Sequence, residues 1–210
     1  MASHFYLPDT RYYSIILLKM RELLDTLSKD KWKRIGPKKR AGILAPLFSV
    51  YSENSVGIGD FSDLRLLVDF CHKTGNSILQ LLPMNEVGST SCPYDAVSSF
   101  AIEPAYVALE DIPGVDTADM KKRASDLRKK MPAGKSHVDY RIKEKKIDLL
   151  WDVFYEDGPG SSGEFREFLE KNSYWLHDFA LFKTIKEFHA GKPWYEWDDG
   201  YRDRDPLKLE

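Results

Sequence analysis

Residues 42–82 predict an α/β protein. Three observations carry that reading: two short apolar runs with strand character, a helical apolar periodicity between them, and a long polar loop after each run. Together they make a βαβ unit with parallel strands. Its loops open at the carboxyl end of the sheet, where folds of this class place their sites.

Gly42-Ile43-Leu44-Ala45-Pro46-Leu47 is continuously apolar and closed by Pro46, which has no N–H to give to a ladder. That is the pattern of a strand buried on both faces. Asp60 is placed as an N-cap, and behind it Phe61, Leu64, Leu67, Val68 and Cys71 recur at helical spacing, with Gly75 positioned to close the helix in the left-handed region. Ser77 to Leu82 reads as the second buried strand. Right-handed closure brings the Leu47–Gly59 and Pro83–Pro104 loops to the same side of the sheet. Connections beyond about 12–15 residues are usually either functional or disordered. Pro93, Tyr94, Phe100 and Pro104, with no low-complexity run, favour an ordered and functional second loop.

Upstream, Ile16, Leu17, Met20, Leu23, Leu24 and Leu27 predict one amphipathic helix, preceded by Pro8 and followed by Gly36-Pro37. It either docks on the rest of the fold or binds a partner. Downstream, Tyr106 to Leu109 reads as a short edge strand and Asp111 to Gly114 as a turn. Asp116 to Lys130 is a charged helix, with Met120 and Leu127 almost its only large apolar residues, and is expected to be a solvated insertion. A helix with Ile142, Ile147, Leu150, Trp151 and Phe154 comes next, ended by the flexible tract Asp157 to Gly163. Glu164 to Glu170 reads as a short helix. After an Asn172-Ser173 cap, Trp175, Leu176, Phe179, Phe182, Ile185 and Phe188 form an apolar face expected to be core, stopped by Gly191 and Pro193.

At 210 residues and 42% hydrophobic, the chain is long enough to bury a core. A net charge of −2 with well-mixed signs gives no basic stripe for nucleic acid. The run Ile15 to Leu18 is too short for a signal core or a membrane span, so a cytoplasmic protein with no membrane partner is expected. Cys71 and Cys92 are too few and too far apart for a disulfide scaffold or a paired-cysteine metal site. The five histidines show no metal-ligand spacing, and Gly57-Ile58-Gly59 has Ser62 where a dinucleotide fingerprint needs its third glycine. No metal and no cofactor is expected.

Gly57-Ile58-Gly59-Asp60-Phe61, then Leu82-Pro83, Cys92-Pro93-Tyr94 and Ser98-Ser99-Phe100-Ala101-Ile102-Glu103-Pro104 resemble the amino-terminal part of the amylomaltases, the 4-α-glucanotransferases or disproportionating enzymes. Trp175-Leu176-His177-Asp178-Phe179-Ala180-Leu181-Phe182 and Gly191-Lys192-Pro193-Trp194-Tyr195-Glu196-Trp197 match the same family in the same order. The resemblance runs from about Lys39 to residue 210. It implies the first two parallel strands of a (β/α)8 TIM-type barrel with a mostly helical insertion. The implied division is an extension helix over 1–40, the first βαβ part with the substrate loop over 41–110, and an incomplete helical insertion over 111–210. Its matches continue to residue 210, which suggests a chain that stops within a domain.

The implied activity is transfer of α-1,4-glucan segments between maltooligosaccharides or starch, with retention. The catalytic acids of the family lie on later strands, so none is expected here and this stretch alone is expected to be inactive. The rim acids Glu53, Glu86, Asp95 and Glu103 do not match the family's catalytic motifs and read as solvated or loop-fixing carboxylates. By resemblance, the substrate-binding residues are Tyr94, Pro93 and Cys92. A tyrosine ring packs on the apolar face of glucose while its hydroxyl bonds a sugar oxygen, and the alternative for Tyr94 is a loop anchor. Pro93 stiffens the approach, and Cys92 stands where serine is common. Ser98 and Ser99 read as fixing the loop backbone. Gly88-Ser89-Thr90 replaces a glycine-tyrosine-glycine of many members, which puts in doubt a second glucan site resting on that tyrosine. Glu103 replaces an asparagine. The implied partners are a maltooligosaccharide or starch-type glucan and the remainder of the barrel. The alternative function is a non-catalytic glucan-binding or regulatory remnant of the same fold.

Overall fold

The computed structural model describes residues 18, 22–113, 115–157 and 163–209. By their contacts these fall into two compact units, 1–43 with 71–79 and 44–70 with 80–210. Helices dominate: α1 (Lys29–Ile35), α2 (Phe61–Lys73), α3 (Thr117–Lys130), α4 (Ile142–Asp157), α5 (Gly163–Phe188), α6 (Asp199–Arg202) and α7 (Pro206–Leu209). The strands β1 (Gly42–Leu44) and β2 (Ile78–Gln80) form one two-stranded sheet. Their direction is parallel: the Ser77 N–H donates to the Ala41 carbonyl at 2.9 Å and the Ala45 N–H to that of Gln80 at 3.0 Å.

The βαβ unit is present as its sequence pattern predicts, but its strands are not buried on both faces. Leu44 is 59% and Ile78 47% exposed. Among the described residues each strand has a single neighbour, and the outer positions meet solvent.

In the first unit, the expected amphipathic helix lies partly outside the described residues, at 16, 17 and 20. Its carboxyl-terminal part, from Leu23 to Leu27, does not continue as one helix. Leu23–Asp25 is a single 3-10 turn, Thr26 is extended, and Leu27 is exposed. The Thr26 carbonyl accepts from the Lys29 N–H at 3.0 Å, which starts α1 instead. The end of α2 agrees with the sequence pattern. Gly75 has φ +75°, and its N–H donates to the His72 carbonyl while that of Asn76 reaches back to Cys71, a left-handed stop that satisfies two terminal carbonyls.

In the second unit, Leu47, Val56, Ile58, Ala105, Tyr106, Leu109, Met120, Ala124, Ile142 and Val153 form the core. Phe61 and Leu64 of α2 pack against it. Asp60 caps α2, its Oδ1 accepting from the N–H groups of Ser62 and Asp63 at 2.9 and 3.3 Å. Asp63 Oδ2 accepts from the Asp60 N–H in return at 3.0 Å, a reciprocal capping box.

Three expectations are corrected in this unit. The charged helix α3, capped by Asp116 through Ala118 N–H at 2.8 Å, is not a solvated arm. Met120 and Ala124, four residues apart, are buried, and partly buried Leu127 extends the same stripe into the core. Residues 106–109 are not an edge strand: Pro104–Tyr106 and Leu109–Asp111 are 3-10 turns, the first opened by Pro104 and by the Glu103 carboxylate accepting from the Ala105 N–H. Finally, Asn172 and Ser173 do not cap a new helix. Their side chains donate to the carbonyls of Phe168 and Glu170 at 2.8 and 2.9 Å, inside a single 26-residue α5. The aromatic stripe of α5 is largely half-buried. Ile185 is its fully buried member and Phe188 is exposed. The tract 158–162 lies outside the described residues.

Candidate functional site

Residues 84–104 fold into an irregular antiparallel hairpin. Bridges join Asn85 to Ile102 and Val87 to Ala96, and the Glu86 N–H donates to Ala101 O, Val97 N–H to Glu86 O, and Glu103 N–H to Met84 O, at 2.8–3.0 Å. The second rim loop is therefore ordered by its own backbone.

At the tip, the Asp95 N–H donates to the Cys92 carbonyl at 2.9 Å, which closes a four-residue turn with Pro93 and Tyr94 at its centre. Proline's fixed φ suits the first central position. The Thr90 hydroxyl donates to Asp95 Oδ2 at 2.8 Å and braces the turn from the side. Tyr94 is 74% exposed, with its ring carried outward. Cys92 and Pro93 are half-buried beside it, and the Cys92 thiol is free. The three residues singled out by resemblance thus share one turn. Ser98 Oγ accepts from the N–H groups of Phe100 and Ala101 at 3.1 and 3.0 Å, the backbone-fixing role expected of it.

Beneath the hairpin lies a layer of charge. Glu103, 2% exposed, accepts from the Val87 N–H at 2.9 Å, the Ala105 N–H at 3.3 Å and the Lys143 ammonium at 3.0 Å. Glu86, 4% exposed, lies between Lys143 of α4 at 3.5 Å and Lys183 of α5 at 2.5 Å. Lys143 also donates to the Val87 carbonyl at 2.9 Å. Each of these buried carboxylates is paired with at least one lysine ammonium, the arrangement that makes burying a charge tolerable. Glu86 and Glu103 are thus loop-fixing groups, and Glu53 and Asp95 are exposed at the surface.

One turn along α4, Lys146 has no exposed surface. Its ammonium donates to the carbonyls of Ala105 at 2.7 Å and Val107 at 2.9 Å and stands 3.8 Å from Asp60 Oδ2. Burial pulls its pKa down to about 8, although Asp60 and Asp63 oppose the shift. Burial likewise raises Asp60, with Lys146 acting against it.

Lys143, Lys146 and Lys183 are not singled out by the sequence. A signal existed for Lys146: it sits at an interior position of the stripe Ile142, Leu149, Leu150, Val153, where an apolar residue is due. Lys183 carries no such mark, because its partner lies in a distant loop. Among the described residues no group of three or more His, Cys, Asp or Glu side chains is placed to hold a metal, and no helix is long and apolar enough to cross a membrane.

Residues 45–210 match the family model described as 4-alpha-glucanotransferase. The chain is 36% identical over 183 residues to a 4-alpha-glucanotransferase of Chlamydia pneumoniae, an alignment covering 85% of this chain and 34% of that protein. It is 35% identical over 191 residues to that of Chlamydia caviae, covering 88% and 35%, and 35% identical over 180 residues to that of Aquifex aeolicus, covering 81% and 33%. The chain spans about a third of the length of these curated relatives.

Proposed function

Since the chain belongs to the 4-alpha-glucanotransferase family, we propose that its Tyr94 turn binds an α-1,4-glucan for an enzyme that moves glucan segments between maltooligosaccharide or starch chains. The observation that carries this reading is the exposed Tyr94 ring on a turn whose base is fixed by Glu86 and Glu103. An aromatic face held rigidly matches the apolar face of a glucose ring, and the phenol is free to rotate a hydrogen bond onto a sugar oxygen. Pro93 limits what the turn loses on binding, and Cys92 lines the approach.

Retaining transfer needs a carboxylate nucleophile and an acid about 5–5.5 Å apart across the scissile bond. Glu86 and Glu103 are committed to lysines and backbone N–H groups, so this stretch supplies the substrate contact, and the covalent step falls to later strands of a (β/α)8 barrel that begins with β1 and β2. The barrel's remainder is then a partner of this stretch, no cofactor is needed, and a cytoplasmic glucan is the substrate. The commitment of both buried acids also favours a second reading, glucan binding without transfer.

Titration with maltoheptaose tests the site. Saturable binding that is lost in Tyr94→Ala supports it, and equal affinity in the variant overturns it. Glucose release from maltotriose by this chain combined with the remainder of the barrel separates the two readings: its presence selects transfer and its absence selects binding alone.

A further inference from the structure

We propose that α5 positions the glucan-binding turn, with Lys183 as the positioning residue acting through Glu86. This rests on the glucan reading of Tyr94 and adds to it the element that sets the turn's place.

Three contacts converge. Lys183 Nζ meets Glu86 Oε1 at 2.5 Å. Two turns earlier on the same helix, the Trp175 ring stacks on Phe100 at 5.5 Å and 17° between planes, and Tyr174 meets Phe100 edge-on at 5.6 Å. Residues 175, 179 and 183 succeed one another at four-residue spacing and so share a face, about 12 Å long from first to last at 1.5 Å per residue. Phe179 fills the middle of that face, 5.9 Å from Trp175. This face grips the hairpin on both arms, at Glu86 before the turn and at Phe100 after it. The turn between them is fixed by its own hydrogen bonds, so moving the arms moves Tyr94.

Lys183 is the residue in this grip whose role can be separated from folding. Lys143 serves Glu86, Glu103 and the Val87 carbonyl together, so its loss opens a buried network. Lys183 is half exposed and contacts Glu86, which keeps Lys143 as a counter-ion when Lys183 is removed. Without Lys183, Glu86 stays neutralised by Lys143 and loses its own tie to α5, while Phe100 keeps its contacts with Trp175 and Tyr174 on the other arm.

The experiment titrates maltoheptaose into the full chain and its Lys183→Met, Lys183→Arg and Tyr94→Ala variants by calorimetry. Melting temperature and amide exchange of residues 88–98 are tracked in parallel. Lys183→Met is expected to weaken binding about tenfold and to speed exchange in the turn, with the melting temperature within about 2 °C of the parent, because Lys183 is itself half exposed and buried Glu86 keeps Lys143 as its counter-ion. Lys183→Arg restores affinity. Parent-like affinity in Lys183→Met beside lost binding in Tyr94→Ala overturns the positioning role and leaves the glucan site standing. Faster exchange throughout the core of Lys183→Met also overturns it, as a folding defect. Parent-like affinity in Tyr94→Ala overturns the glucan reading and the positioning role with it.

Discussion

The Lys146 ammonium stands 3.8 Å from the Asp60 carboxylate with its own side chain 0% and that of Asp60 6% exposed. A buried ion pair at this separation is held by its surroundings as much as by its mutual attraction, and here two carbonyl oxygens share the ammonium. Its folded pKa of about 8 against an ordinary 10.5 makes the unfolded chain the better proton binder in that window. The penalty for burying the charge is complete below pH 8 and is relieved as pH rises from about 8 to 10.5. Unfolding free energy from urea melts at pH 7.5, 9 and 10.5 should therefore rise for the parent relative to Lys146→Met. Parallel pH profiles for the two proteins would refute the assignment.

Asp63 Oδ2 accepts from the Ser55 hydroxyl at 2.7 Å and from the Asp60 N–H at 3.0 Å, while its Oδ1 has no partner among the described residues. Replacing it with alanine strands a buried hydroxyl and a helix-terminal N–H. Asp63→Ala should cost about 1–3 kcal/mol in a denaturant melt.

Gly59 and Gly75 separate two reasons for glycine. A Cβ at Gly59 would lie 2.1 Å from the Leu47 carbonyl oxygen and 2.2 Å from that of Val50, both backbone atoms that cannot swing aside. A Cβ at Gly75 meets open space, and only the positive φ opposes it. Gly59→Ala should cost about 3 kcal/mol or more by forcing backbone apart, and Gly75→Ala about 1 kcal/mol, measured as paired thermal and urea melts.

Pro93 restricts the turn before any ligand arrives. Pro93→Ala should weaken maltoheptaose binding about two- to fivefold, the equivalent of the 0.4–1 kcal/mol that a proline saves in chain entropy. Calorimetry of this variant beside Tyr94→Ala ranks preorganisation against direct contact.

Local chemistry was legible in the sequence and long-range partnership was not. Asp60 and Gly75 bound α2 as their residue types demand, Asp116 starts α3, and the Cys92–Asp95 turn is the one Pro93 favours. Asn172-Ser173 misled because the same side chains that cap a helix also bond back to its carbonyls, and only the neighbouring turns decide which occurs. α3 read as solvated because its buried face consists mainly of one methionine and one alanine, and a methyl group carries almost no periodic signal. At the candidate site, the turn that carries Tyr94 could be read from Pro93. The ties from Lys143 and Lys183 to Glu86 could not, since they span 57 and 97 positions of sequence and no local rule links them.

The pairing of β1 with β2 involves no residue beyond 80. This sheet and capped α2 can therefore close on the ribosome before α3, α4 and α5 have been made, since contacts of short sequence separation form first. At about 5–20 residues per second, several seconds of synthesis then pass in which Leu44 and Ile78 already stand outward on the paired strands. The nascent chain in that interval offers chaperones a small, preformed apolar ribbon, and a ribosome profile of chaperone capture should peak soon after residue 80 clears the exit tunnel.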